Sequence, residues 1–156
     1  MNQKVNVGDK APDFELLRAD GGLFRLSEQL QEKHVVLYFY PKDNTPGCTK
    51  QACEFRDQYE VFQEHGAEVV GISSDSTGSH EQFEQSHRLP FVLLSDQGGR
   101  VRNLYGVPRK FGIIPGRVTY VIDRSGTVRY IFNSMTKPLE HVKNALEVLQ
   151  QLKVEQ

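Results

Sequence analysis

The chain has 156 residues, of which 38% are apolar and 25% charged, and its formal net charge at pH 7 is −1. This balance excludes a basic surface for nucleic acid or membrane, and the length fits one domain over residues 1–156. The polar beginning, MNQKVNVGDKAPDF, has no hydrophobic leader, and no apolar run is long enough to cross a membrane. We therefore expect a cytoplasmic protein. Its two cysteines are then more typical of catalysis, redox chemistry or metal binding than of a permanent disulfide.

Apolar periodicity and turn residues divide the chain into alternating strands and helices. In chain order we predict a hairpin from 13–17 and 23–26, a helical turn at 26–30, a strand at 35–40, a helix at 48–65, a strand at 68–73, a helix at 76–87, a strand at 91–95, a short helix at 100–105, a loop at 107–115, a hairpin from 119–123 and 128–132, and a helix from Pro138. Alternation gives parallel strand pairs, and the hairpins add antiparallel strands. The sequence therefore predicts an α/β protein with an N-terminal hairpin and a mixed central sheet.

The predicted helix at 48–65 carries both cysteines. Its apolar residues recur at spacings of three and four, so they share one face. They are Cys48, Ala52, Phe55, Tyr59 and Phe62. Gly66 supplies the stop. In the other helices we expect Ser27 to cap the helical turn at 26–30, and Leu139 to begin the buried stripe of the last helix.

Cys48 follows a strand and a loop with two prolines, at the start of a predicted helix. Open α/β sheets place their sites at the carboxyl ends of strands. The free N–H groups of a helix N-terminus favour the thiolate, which is the reactive form of cysteine. Thr45 offers a hydroxyl within reach of the sulfur, and Pro41 and Pro46 restrict the loop and shield it. Cys48 is the predicted reactive group, with a buried cysteine acting as a small apolar side chain as the alternative.

Cys53 follows five positions later. On an ideal helix the two Cα atoms lie roughly 8.6 Å apart, separated by about 140° of rotation. A disulfide needs less than about 7 Å, so the start of the helix would have to unwind for the two sulfurs to meet. The spacing thus predicts a redox-linked conformational switch if the residues react together. It does not decide between that role and a bystander.

Other chemistries remain open from the residues alone. The chain could be a general thiol–disulfide oxidoreductase, although it has no C-x-x-C pair. It could bind a metal through Cys48, Cys53 and His65, but their spacing matches no zinc pattern, and most of the five histidines are expected at the surface. It could also be a holdase or a redox-sensing interaction protein.

The segment PKDNTPGC at 41–48 matches the P-x-x-x-T-x-x-C motif of the peroxiredoxins. The longer run TPGCTKQACEFRD at 45–57 resembles the subfamily called bacterioferritin comigratory protein or peroxiredoxin Q. The likeness extends over nearly the whole chain, with GDKAPDF at 8–14, VGIS at 70–73 and PGRVTYVID at 115–123.

This resemblance implies a thioredoxin-like fold with an added N-terminal hairpin, and the reduction of hydrogen peroxide and organic hydroperoxides. It implies that Cys48 is the peroxidatic residue and Cys53 the resolving one, with Thr45 and Pro41 supporting the loop and Arg117 as the active-site arginine. The resulting disulfide would be reduced by thioredoxin or a similar protein. No metal, haem or flavin is implied, and the subfamily likeness suggests a monomer.

Overall fold

The structure is a computed structural model, and it describes residues 4–110 and 114–155. The strands are β1 Glu15–Arg18, β2 Leu23–Arg25, β3 His34–Phe39, β4 Ala67–Ser73, β5 Val92–Ser95, β6 Arg109–Lys110, β7 Ile114–Pro115, β8 Val118–Ile122 and β9 Val128–Asn133. The helices are α1 Leu26–Leu30, α2 Pro46–Asp57, α3 Tyr59–Glu64, α4 Thr77–His87, α5 Arg100–Tyr105 and α6 Pro138–Glu155, with a 3₁₀ turn at Gln97–Gly99.

Seven of the described strands form one sheet in the order β2-β1-β5-β4-β3-β8-β9. The pairs β3–β4 and β4–β5 are parallel, and the remaining pairs are antiparallel. The predicted mixed sheet with an N-terminal hairpin is therefore confirmed. The predicted loop at 107–115 instead holds a small antiparallel pair, β6 with β7, and its residues 111–113 lie outside the described ranges.

The central strand β3 is buried on both faces, as its unbroken apolar run predicts. Val35, Leu37 and Phe39 join an apolar cluster that includes residues of α1 and α5. Val36 and Tyr38 face the opposite way, into a second cluster with residues of α2, α3, α4 and α6. Helices thus cover both faces of the sheet, and the chain that leaves β3 passes directly into α2.

The predicted helix at 48–65 is in fact two helices. The first begins at Pro46, because the fixed φ of proline suits the first position of a helix and Thr45 before it is extended, with φ −86° and ψ 153°. Gln58, with φ −99° and ψ 4°, leaves the helical region and separates α2 from α3. Gly66 follows α3 with a positive φ of 69°, in agreement with the predicted stop.

Two smaller predictions about helices are wrong. Arg25, not Ser27, precedes the first residue of α1, and the N–H of Ser27 donates to the carboxylate of Asp13 at 2.9 Å. Leu139 is 45% exposed, and the buried stripe of α6 begins one turn later at Val142.

In the described parts of the chain, we find no helix with the length and apolar character needed to span a bilayer.

Candidate active site

Cys48 lies in the first turn of α2, three residues after the N-cap Thr45. Its side chain is 1% exposed and belongs to the second apolar cluster. The first-turn N–H groups of a helix have no partner within the helix, so they favour a negative charge at this end. The predicted placement of Cys48 at a helix N-terminus is therefore confirmed.

Arg117 directly precedes β8 and is also buried, at 4% exposure. Its Nη2 donates to the sulfur of Cys48 at 3.5 Å, its Nη1 donates to Oε1 of Gln51, and its Nε donates to the carbonyl of Met135 at 3.4 Å. Gly47 makes room for this contact, because an added Cβ would lie 3.0 Å from Nη2. The buried guanidinium is thus placed to interact with negative charge that develops at this sulfur.

The loop between β3 and α2 is fixed by a carboxylate that sequence reasoning did not find. Asp43 accepts hydrogen bonds from the hydroxyl of Tyr40 at 2.6 Å and the hydroxyl of Ser79 at 2.9 Å. Its Oδ2 also lies 2.7 Å from Nδ1 of His80, and the two side chains are 1% and 0% exposed. Because Nε2 of His80 donates to the carbonyl of Leu94, the imidazole orientation is set on both sides. The active-site loop is thus tied to α4 by a buried network.

Two further side chains hold the same loop. The backbone N–H of Asp43 donates to Asp75 at 2.8 Å, and Nη2 of Arg102 donates to the carbonyl of Tyr40 at 3.1 Å. Arg102 is buried, and desolvation lowers the pKa of its guanidinium although the charge of Asp96 partly offsets this. These contacts fix the backbone on either side of Pro41, which itself is half-buried.

The described residues contain one group that could hold a metal ion, formed by Asp43, Asp75 and His80, whose ligand atoms lie within 4.8 Å of one another. It is not the set suggested by the sequence, which joined the two cysteines with His65. The carboxylates and the imidazole are already engaged in hydrogen bonds with the loop and α4. Their present arrangement therefore serves as an anchor for the active-site loop.

The hydroxyl of Thr45 donates its hydrogen bond within the loop, which the sequence did not predict. Its Oγ1 donates to the carbonyl of Lys42 at 2.9 Å, which uses the proton within the loop. The remaining lone pairs of this oxygen can only accept a hydrogen bond. Thr45 can therefore accept a hydrogen bond from an approaching hydroxyl, while the donor toward the Cys48 sulfur is Arg117.

Cys53 lies on the same uninterrupted helix as Cys48, and both thiols are free. Cys48 is buried, whereas Cys53 is half-buried and its sulfur lies 3.9 Å from Nδ1 of His87 at the end of α4. The structure thus places the two cysteines on different sides of α2. A disulfide between them would require α2 to open at its beginning, in agreement with the geometry of an ideal helix.

A second buried histidine, His141, helps to hold the backbone segment that contacts Arg117. The hydroxyl of Thr119 lies 2.8 Å from Nδ1 of His141, and Nε2 of His141 lies 2.7 Å from the carbonyl of Ser134. Burial lowers the pKa of His141 to about 4, although its bond to the Ser134 carbonyl opposes this shift. The N–H of Ser134 in turn donates to the carbonyl of Arg117. The neutral imidazole therefore fixes the segment whose next residue, Met135, binds the guanidinium.

The expectation that most histidines are surface residues is wrong. The buried histidines are His34, His80 and His141. One pattern could have revealed His80, since it lies three residues before Phe83 and therefore shares the inner face of α4. The partners of the other two come from distant parts of the chain, and no local pattern identifies them.

A buried thiol beside a buried arginine has a definite chemical use. An arginine beside a sulfur can stabilise negative charge that develops as the sulfur reacts. The fold and the site therefore define a class, the proteins that react through a nucleophilic cysteine on an α/β sheet.

Comparison with known proteins identifies the family. Residues 7–131 match the model of the AhpC/TSA family. The chain is 51% identical over 150 residues to chloroplastic peroxiredoxin Q of Oryza sativa subsp. japonica, covering 96% of this chain and 69% of the relative. The crystal structure of peroxidoxin BcpB from Mycobacterium tuberculosis superposes with a TM-score of 0.87 at 40% identity, over 93% of this chain and 96% of that one.

A structure of bacterioferritin comigratory protein from Xanthomonas campestris, concerned with alkyl peroxide reduction, superposes with a TM-score of 0.79 at 26% identity, over 92% of this chain and 96% of that one. The chain belongs to the AhpC/TSA family, as a peroxiredoxin similar to peroxiredoxin Q. The predicted thioredoxin-like fold is confirmed, and the protein is a thiol-dependent peroxidase that uses peroxides and a thiol reductant.

The expectation of a cytoplasmic location is wrong. The rice relative and other plant relatives of similar identity are named chloroplastic, and this finding contradicts the expectation. The expectation relied on the lack of a hydrophobic leader. Chloroplast targeting segments are amphipathic and rich in arginine and serine, so that criterion does not detect them.

Proposed function

We propose that Cys48 is the peroxidatic residue and that it reduces hydrogen peroxide and organic hydroperoxides. The observation that carries the proposal is the 3.5 Å contact between the Cys48 sulfur and Nη2 of the buried Arg117. The side chain of Gln51 and the carbonyl of Met135 hold the guanidinium in place beside the sulfur. The X. campestris relative with alkyl peroxide reduction activity supports the choice of substrate class.

In the first step the Cys48 thiolate attacks one peroxide oxygen in line with the O–O bond. The S–O bond forms as the O–O bond breaks, and the departing oxygen takes a proton and leaves as water or an alcohol. Thr45 accepts a hydrogen bond from the peroxide hydroxyl, and Arg117 with the N–H groups of the first turn stabilises the departing negative charge. One donor of this kind is typically worth about 2.7–4 kcal/mol in the transition state. Cys48 is left as a sulfenic acid.

In the second step Cys53 attacks this sulfenic acid and forms an intramolecular disulfide. The proposal is supported by the position of both cysteines on α2 and by the half-exposed state of Cys53. Because the two Cα atoms are roughly 8.6 Å apart on an ideal helix, the first turns of α2 open before the bond forms. Local opening of a helix end is far less costly than global unfolding.

A thioredoxin-like protein then reduces the disulfide by thiol exchange, which restores both cysteines. We further propose that the protein acts as a monomer and that residues 1–156 form one domain. The seven-stranded sheet with helices on both faces supports the latter.

Intact-mass spectrometry after one equivalent of hydrogen peroxide tests the two-cysteine cycle. We expect the loss of two hydrogens, with the disulfide mapped to Cys48 and Cys53. Addition of one oxygen that persists in wild-type protein would contradict the resolving role. In Cys53→Ser the sulfenic acid should persist, and Cys48→Ser should not consume peroxide.

A second experiment tests the arginine. Arg117→Lys keeps a charge but loses the planar fork, so the rate of peroxide reaction should fall by roughly a hundredfold to a thousandfold. Arg124→Lys is the matched control, because Arg124 is exposed and donates to the carbonyl of Gln31. Equal rates for the two variants would remove Arg117 from the mechanism.

A further inference from the structure

We propose that His87 is the general base that takes the proton of the Cys53 thiol before Cys53 attacks the oxidised Cys48. The inference rests on the proposed function, in which Cys53 is the resolving residue. The observation behind it is a contact between two helices. Nδ1 of His87, in the last turn of α4, lies 3.9 Å from the sulfur of Cys53 on α2. Both side chains are half-buried, so protons can still exchange with solvent.

The imidazole is held in its orientation toward Cys53. Its ring packs edge-on against Phe83, with centroids 5.2 Å apart and an interplanar angle of 75°. The carbonyl of His87 accepts a hydrogen bond from Nη1 of Arg56 at 2.8 Å. Arg88 then takes a positive φ of 52° and ends α4. Two contacts therefore join α2 to the end of α4 at His87, one through Cys53 and one through Arg56.

Charged side chains of both helices lie around the pair. From α2, the pKa of Arg56 is raised, first by its hydrogen bond to Asp57 and also by the charge of Cys53. The guanidinium of Arg56 lies beside His87, because its Nη1 donates to the carbonyl of that residue. On α4 itself, Glu84 precedes His87 by one turn, and burial raises the pKa of its carboxyl.

The proposed step balances without any added reagent. His87 takes the proton from the Cys53 thiol and becomes an imidazolium, which leaves a thiolate. The thiolate attacks the sulfur of the Cys48 sulfenic acid, so that an S–S bond forms as the S–O bond breaks. The departing hydroxide takes up a proton and leaves as water, and the imidazolium returns its proton to solvent. Cys48 is reduced and Cys53 is oxidised within the same chain.

The contact exists while α2 is closed, so the proton transfer precedes the opening of the helix. A free thiol is only a few per cent thiolate near neutral pH, so a neighbouring base can raise the reactive fraction more than tenfold. The lower nucleophilicity of a more acidic thiol partly offsets this gain. We therefore expect loss of the imidazole to slow disulfide formation about three- to tenfold near neutral pH.

The test follows resolution separately from oxidation. Reduced full-length protein is mixed with one equivalent of hydrogen peroxide, quenched with acid at successive times, and analysed by intact mass for sulfenic acid and disulfide. His87→Asn and His87→Gln are compared with wild type from about pH 6 to about pH 9, a range that spans ordinary histidine and cysteine titrations. His65→Asn is the matched control, because His65 is also half-buried at a helix end but bonds to the carbonyl of Val61.

We expect both His87 variants to form disulfide about three- to tenfold more slowly near neutral pH and to approach the wild-type rate at high pH. This convergence follows because Cys53 ionises without help in alkaline solution. The rate of Cys48 oxidation should be unchanged, and the His65 control should match wild type throughout. Equal rates at every pH, or a loss that is the same at every pH, would overturn the proposal. Failure of wild-type protein to form the disulfide would instead overturn the proposed function, and the inference with it.

Discussion

Truncation of Asp43 tests whether the buried network holds the active-site loop. In Asp43→Ala, Tyr40, Ser79 and His80 lose the carboxylate that they contact at 2.6, 2.9 and 2.7 Å. Removing one member of a buried, hydrogen-bonded group of this kind typically costs about 3–5 kcal/mol. Domains of this size have total stabilities of about 5–15 kcal/mol, and each kcal/mol lowers Tm by about 2–4 °C. We therefore expect a Tm lower by roughly 6–20 °C in a protein that still folds.

The same change should slow the peroxide reaction, although Asp43 does not contact Cys48. The loop from 41 to 47 sets the position of Thr45 and the beginning of α2, and a displacement of about 1 Å near reacting atoms can cost a hundredfold in rate. The assay measures the second-order rate with hydrogen peroxide at a temperature where the variant is fully folded, checked by circular dichroism. Asp43→Asn should lose less on both measures, because its amide can still bond to the same partners.

Asp123→Ala is the matched control for this prediction. Its carboxylate accepts from the N–H groups of Ser125 and Thr127 in the turn between β8 and β9. That turn lies at the opposite end of β3 from the active-site loop, since Ile122 pairs with Val35. The control should lower Tm without changing the rate per folded molecule. A normal peroxide rate in destabilised Asp43→Ala would refute the claim that the network positions the loop.

Three more predictions have definite expected outcomes. In Gly71→Ala the added Cβ would lie 2.8 Å from the ring of Tyr38 in β3, and the free energy of unfolding measured by chemical denaturation should fall by about 1–3 kcal/mol. In the control Gly78→Ala the added Cβ meets only an ordinary contact at 3.9 Å, so this change should be neutral or stabilising. Gly47→Ala presses on the guanidinium of Arg117 and should slow the peroxide reaction with little change in Tm; an unchanged rate would show that the guanidinium can shift freely. Burial lowers the pKa of His141 to about 4, so the unfolded chain binds more protons than the folded chain and stability is lost as the pH falls from about 6.5 to about 4. His141→Gln should reduce this loss of stability. Equal slopes of unfolding free energy against pH in the variant and the wild type would contradict the assignment of the lowered pKa to His141.

Much of the fold could be predicted from local pattern. An unbroken apolar run such as 35–40 is typical of a strand that is covered on both faces, and the structure buries every residue of β3. The order of strands and helices followed from periodicity in the same way. The exception was the long helix at 48–65, where the apolar spacing continues through Gln58 although the backbone does not. Apolar periodicity shows which residues face inward, but it hardly detects a single break in the direction of the helix axis.

The active site shows the same difference between features that are local in sequence and contacts between distant segments. Cys48 and its helix N-terminus could be read from a strand, two prolines and a cysteine, because all of that geometry is local. Arg117 was known only through resemblance to a family. Its approach to the sulfur depends on the pairing of β8 with β3, in which Val118 lies opposite Phe39. No spacing within either segment specifies that register.

The sequence by itself determined the α/β architecture, the position of Cys48 at a helix N-terminus and the need for α2 to open if Cys53 is to reach it. Tertiary structure alone decided which side chains surround the two sulfurs. Arg117 reaches Cys48 from β8, and His87 reaches Cys53 from the end of α4. The reason is physical: charges act through space over a few ångströms, while sequence pattern records only neighbours along the chain.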